Sequence, residues 1–202
     1  KPWWQHFCKS QIVAIDCEFV HYRYLAKSEK VKAASVAIVD FNGEVLYRTT
    51  VKHDPGECQI NRITISKNGI TANILRNGHK SLDTVENEVA DLLKDKLVIH
   101  IAGATDFKSL GLCIGDFENF DLHSHWQQPK INSNGILVHE NIGLKRLIRK
   151  YFNDEDFQSG IHSAEADARA TLRIFREVYI KIKQTEVCTK YNSDFDQFAD
   201  FD

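Results

Sequence analysis

The sequence predicts an α/β domain built in layers, with helices packed on a mixed sheet. Two observations predict it: three strand signals come in close succession near the start, and from there strands alternate with helical periodicities. The size fits one such domain, because 202 residues with 43% apolar and 27% charged side chains can bury one sizeable core. We expect a single folded domain over residues 1–190 and a short tail over 191–202, in which Asp alternates with Phe.

The run Ile12-Val13-Ala14-Ile15 reads as a buried strand. Residues 36–40 and 45–51 read as the next two, joined through Asn42-Gly43, a strong hairpin signal. Residues 52–80 are rich in Gly, Asn and charge and lack a clear period, so they read as a long loop with at most one short helix. Ser81 then caps a helix whose Val85, Val89, Leu92 and Leu93 fall at helical spacing. A fourth strand comes next at 97–101, then a short helix over 106–112 capped by Thr105. Leu144, Leu147, Ile148, Tyr151 and Phe152 mark one face of another helix. The last long helix covers 164–183, with Leu172, Phe175, Tyr179 and Ile182 as its core stripe. The tail reads as a partner-binding peptide, a disordered end or a segment packed on its own domain.

No apolar run reaches the length needed to span a bilayer, and the start lacks the layout of a secretory signal, so no membrane partner is expected. The absence of Met, at position 1 included, suggests an excised domain or a processed chain. Five cysteines, Cys8, Cys17, Cys58, Cys113 and Cys188, are widely spaced and without a CxxC, which fits a reduced intracellular protein and argues against a structural zinc module. A net charge of −2 argues against a nucleic-acid partner only until carboxylates are given metal to hold. Two divalent cations make such a site the positive feature that meets a phosphate.

On a strand, Asp16 and Glu18 project to the same face, while Ile15 and Cys17 point the other way. Like charges this close call for a proton or a bridging cation. Alone the pair also fits a solvated strand end. Asp106 lies just after the 97–101 strand, where open α/β sheets present site residues, although an acid there also suits the helix dipole. In His162-Ser163-Ala164-Glu165-Ala166-Asp167, Ser163 is a natural N-cap, which makes His162 the N′ and Asp167 the N4 residue. Those two positions are neighbours in space, so the pair reads as a site element or as a surface His bonded to an Asp; Glu165 serves the helix dipole. Together, four carboxylates and one His suit phosphodiester hydrolysis on two cations.

The order Asp-x-Glu, then Asp, then His-x-x-x-x-Asp resembles the DEDDh 3′→5′ exonucleases of the ribonuclease T and proofreading-subunit superfamily. The finer likeness is to the Rex-type RNA exonucleases and the interferon-induced exonuclease. It is carried by Asp16-Cys17-Glu18, by Gly43-Glu44-Val45-Leu46-Tyr47, by Gly69-Ile70-Thr71, by Leu144-Lys145-Arg146-Leu147 and by the stretch from His162 to Thr171. The resemblance implies a ribonuclease H-like three-layer domain, with Asp16, Glu18, Asp106 and Asp167 binding two Mg²⁺ or Mn²⁺ ions and His162 acting as general base. It implies a single-stranded nucleic acid partner, RNA over DNA, products that are nucleoside 5′-monophosphates, and a nuclear or cytoplasmic location, nuclear favoured. Phe19, Ile70 and Thr71 become candidates for the terminal sugar and base. Lys145 and Arg146, with Arg149 and Lys150, either track the backbone or form a solvated helix face. Two departures stand out: Phe19 and His21 replace the usual Met and Gly, and Ile101-Ala102-Gly103-Ala104-Thr105 replaces the His or Asn residues that usually precede the second Asp. A DNA exonuclease with the same site and a catalytically silent RNA-binding fold are the alternatives.

Overall fold

The computed structural model describes residues 3–23, 29–54, 56 and 59–185; the 191–202 tail, Cys58 and Cys188 lie outside the described residues. A mixed sheet runs in the order β5-β3-β2-β1-β6-β7, with β4 also pairing β1. Its strands are β1 (Ile12–Arg23), β2 (Glu29–Asp40), β3 (Val45–Lys52), β4 (Gln59–Ile60), β5 (Lys80–Ser81), β6 (Leu97–His100) and β7 (Asn119–Asp121). The first three strands form an antiparallel meander, while β6 joins β1 in parallel and β7 joins β6 in parallel.

Alternation along β1 builds a core on each face. Val13, Ile15 and Cys17 meet Val85, Val89 and Leu93 of α3 (Leu82–Leu93) and Phe107 and Leu110 of α4 (Ala104–Leu110). Ile12 and Ala14 face the other way, onto Leu147 and Ile148 of α5 (Leu144–Phe152) and Ala168, Leu172 and Ile174 of α6 (Ala164–Ile174). Helices on both faces of one sheet make the three layers.

The 52–80 stretch is not a loop. It holds β4, α1 (Arg62–Asn68), α2 (Ala72–Arg76) and β5, each too short to show a hydrophobic period. Asn61 caps α1 at Ile63 N, and Gly69, at φ 69°, ends it in the left-handed region. Val20, Tyr22, Ala34, Ile70 and Leu75 close a third, small core beneath this α1–α2 lobe.

The α4 helix begins two residues earlier than expected, on Gly103 rather than on Thr105. The last helix continues as predicted but opens into a π turn over Phe175–Tyr179, with helix resuming through 180–185. That extra residue shifts the phase of the final turns, so Val178 and Tyr179 are buried while Ile182 is 39% exposed, against its expected place in the core stripe. A separate hairpin of β8 (Gln127–Ile131) and β9 (Leu137–Asn141) is not legible in the sequence, where Pro129 and scattered polar residues hide the alternation. Among the described residues, Cys8, Cys17 and Cys113 are free.

Candidate active site

The even-numbered side chains of β1 share one face. Ile12 and Ala14 lie under α6, Val20 and Tyr22 lie under the α1–α2 lobe, and Asp16 and Glu18 fall between the two covers. The acids therefore sit where the strand is open, in a cleft of about 550 Å³ that is also lined by Asp106, His162 and Asp167. All five residues that the motifs picked out come together there.

Asp106 reaches the cleft through the turn from β6 into α4. His100, buried, accepts the Gly103 N–H on Nδ1 at 3.0 Å and faces Asn119 Oδ1 through Nε2 at 3.1 Å, which assigns its proton to Nε2. A Cβ at Gly103 would stand 2.7 Å from the imidazole, so the ring fixes both the glycine and the start of the helix. Ala102 takes φ 55° beside it, its N–H donated to Asp121 Oδ1 at 3.0 Å. Asp106 Oδ1 then accepts the Cys17 N–H at 3.1 Å, tying the third acid to the strand that carries the first two. With no His or Asn at 101–105, the polar side chain that organises this turn is His100.

At α6, Ser163 occupies the N-cap in extended conformation, but its hydroxyl caps no N–H. His162 and Asp167 meet as N′ and N4 do, with Nδ1 and Oδ2 3.9 Å apart. The backbone N–H of His162 is donated to Lys67 O at 2.9 Å, which links the helix entry to the end of α1. Glu165 turns away to Arg48 at 2.5 Å and to Arg169 at 3.1 Å, outside the acid cluster.

Burial, followed by Asp106, Asp167 and Glu18, pushes the Asp16 carboxyl well above the ordinary carboxylate range. Burial and Asp167 raise Glu18 to about 7, against a hydrogen bond from Asn68. Asp106 is likewise raised to about 7, chiefly by burial and partly offset by the Cys17 N–H. Burial also raises Asp167, opposed by Gln158 and His162. Four carboxylates that resist charging one another are the electrostatic counterpart of a bound cation. Two further observations fit that chemistry. Asp167 Oδ1 is buried without a hydrogen-bond partner among the described residues, and Glu18, His162 and Asp167 each bring a ligand atom to within 4.8 Å of the others. The donor set suits a divalent cation.

Among the remaining candidates, Phe19 lines the cleft. Ile70 packs into the lobe's core and lines an adjoining trough of about 600 Å³ that shares Glu18 and His162 with the cleft. Thr71 caps α2 at Ile74 N. Lys145 donates to Gln158 O at 2.7 Å and Arg146 is exposed; neither lines the cleft. Two residues escape a reading of the motifs. Asn68 donates to Phe19 O at 3.0 Å and accepts the Ile70 N–H at 3.1 Å, bracing the wall beside Glu18. Gln158 donates to Asp167 Oδ2 at 2.7 Å. Asn68-Gly69 is readable as a turn but not as a brace, and nothing in sequence spacing ties Gln158 to an acid nine residues on.

No family model matches the chain. It is 32% identical over 165 residues to RNA exonuclease 4 of Candida glabrata, covering 81% of this chain and 58% of that protein. It is 30% identical over 169 residues to RNA exonuclease 4 of Aspergillus fumigatus, covering 81% and 49%. The chain thus spans about half the length of the curated relatives it matches. Among solved structures, the Saccharomyces cerevisiae Pan2 pseudoubiquitin hydrolase–RNA exonuclease module in complex with A7 RNA superposes with a TM-score of 0.70 at 18% identity, covering 96% of this chain and 32% of that one. The Neurospora crassa Pan2 catalytic unit does so with 0.64 at 17% identity, covering 96% and 30%. These share the ribonuclease H-like fold. The chain belongs to the DEDDh exonuclease superfamily, alongside the Rex-type RNA exonucleases.

Proposed function

We propose that this domain is a metal-dependent 3′→5′ exoribonuclease that trims single-stranded RNA ends to nucleoside 5′-monophosphates. The observation that carries the proposal is the convergence of Asp16, Glu18, Asp106, Asp167 and His162 on one open cleft, with Asp167 Oδ1 buried and unpaired. The name of the curated relatives and the RNA-bound Pan2 modules support RNA as the substrate.

Asp16, Glu18, Asp106 and Asp167 would hold two divalent cations, Mg²⁺ or Mn²⁺. When bound, these supply the positive charge that polarises the scissile phosphate and acidifies a water. Cys17 N–H holds the Asp106 carboxylate in place. His162, its side chain 30% exposed at the cleft edge, takes the proton of the attacking water and passes it to solvent. Phe19, beside the acids in the cleft, offers an apolar face to the terminal nucleotide, while Ile70 lines the adjoining trough and Thr71, capping α2, holds the backbone next to it. Arg146, exposed on α5, is the candidate for a backbone phosphate farther along the strand.

The test is 5′-labelled single-stranded RNA and matched DNA incubated with the protein in Mg²⁺, Mn²⁺ or EDTA, beside an Asp167→Ala control. The expected result is a ladder that shortens from the 3′ end, faster on RNA, and disappears with EDTA and in the control. Faster loss of DNA would transfer the proposal to that substrate. Intact label in every metal, with RNA binding retained, would replace the enzyme with a binding module.

A further inference from the structure

Asp167 has one oxygen engaged and one empty-handed, and a single side chain decides which is which. Gln158 Nε2 donates to Oδ2 at 2.7 Å, while Oδ1 is buried with no partner. Gln158 itself does not line the cleft, so it meets the carboxylate from behind.

Its backbone makes the placement unusual. Gln158 has φ 54°, a region that L side chains rarely adopt, and it is not a glycine. Both sides of the residue are anchored. Phe157 packs against the main core, its N–H is donated to Asp154 Oδ1 at 3.0 Å, and the Ser159 N–H is donated to Asp156 O at 3.0 Å. The carbonyl of Gln158 accepts Lys145 Nζ from α5 at 2.7 Å. A surface loop gains nothing by holding a glutamine in this conformation; one that must deliver an amide to a fixed carboxylate does.

We infer that Lys145 and Gln158 form a two-residue brace that positions Asp167, Lys145 fixing the strained carbonyl and the Gln158 amide occupying Oδ2 so that Oδ1 faces the cation. Lys145 then serves the site from inside the protein rather than by touching nucleic acid. An amide donor at Oδ2 also limits Asp167 to a one-oxygen ligand, which restricts how the acid can rotate as the cleft fills.

The brace rests on the metal-site reading above, so its test begins with binding and not with turnover. Mn²⁺ is titrated calorimetrically into the wild-type chain, Gln158→Asn and Lys145→Met. Asn tolerates the left-handed backbone but is too short to reach Asp167, which separates the lost amide from the strain. Met keeps the length of Lys145 without its charge. Wild-type binding with roughly tenfold or greater weakening in Gln158→Asn, and a smaller loss in Lys145→Met, is expected. In the RNA assay the same variants should need proportionately more metal while the KM for RNA at saturating metal stays within about twofold, a split that a merely structural lesion does not produce. Equal Mn²⁺ affinity in all three proteins would overturn the brace and leave the metal site standing. No Mn²⁺ binding by the wild type would overturn both.

Discussion

Glu18 and Asp106 each keep a proton up to about pH 7, and this has a sign that can be checked. A carboxyl whose folded value lies above its unfolded one favours the folded state while it is protonated. That contribution is full below the unfolded value, near 4.5 for Glu18 and 3.8 for Asp106, and is lost as pH rises to about 7. In EDTA the chain should therefore melt at a higher temperature at pH 5 than at pH 8, and Mn²⁺ should recover more of the loss at pH 8. A melting temperature that climbs steadily across the same window in EDTA would contradict the burial of these acids. Glu165 and Glu177 are held low by arginine partners and act at lower pH, whereas burial lowers His53 and His125, which oppose the effect within the window, so the comparison is made against a His53→Gln, His125→Gln background. His162 is the other single-residue case. Its replacement by Gln should lower kcat on RNA by about 10²–10⁴-fold, the usual worth of a positioned base, with metal affinity less affected. A loss below about tenfold in single-turnover kinetics would remove it from proton transfer.

At the scale of elements, the turn between β6 and α4 shows what local pattern misses. Asp106 is legible because it comes after a strand, yet local pattern puts the helix cap on Thr105, since Thr is an ordinary cap and Gly103 is not. The start is set instead by His100, whose ring meets Gly103 and Asn119 across the turn, and Asn119 lies 19 residues away in sequence. Spacing rules do not see that distance. The staple geometry of His162 and Asp167 is legible because both lie on one helix entry. The α1–α2 lobe is not, because helices of seven and five residues carry too few turns to establish a period. His100→Leu keeps the volume but leaves the Gly103 N–H and Asn119 Oδ1 unpaired. It should cost about 1–3 kcal/mol in urea unfolding. It should also lower activity, because the turn it releases carries Asp106. Unchanged stability in that variant would mean that the ring is not what holds the turn.

Across the whole molecule, the doubly covered sheet is predictable from early strands and later alternation, and the two faces of β1 divide the core as those strands imply. The β8–β9 hairpin stands apart from it, with Ile131, Ile136 and Leu137 exposed near its tip. Because the hairpin belongs to a separate sheet and contributes nothing to the cleft, Ile136→Asn with Leu137→Thr should shift stability by less than about 0.5 kcal/mol and leave RNA turnover unchanged. A marked fall in turnover would place the hairpin on the substrate's path.

The open middle of β1 has a wider consequence. One face of that strand carries Ala14 beneath α6, then the acids, then Val20 and Tyr22 beneath a lobe with its own small core. The lobe shapes the mouth of the cleft and is tied to its floor at two points, through Lys67 O on the His162 N–H and through Asn68 on the Phe19 carbonyl. Mutations that resize it away from those two ties change what the cleft admits, so descendants of this fold that keep them can inherit the reaction intact.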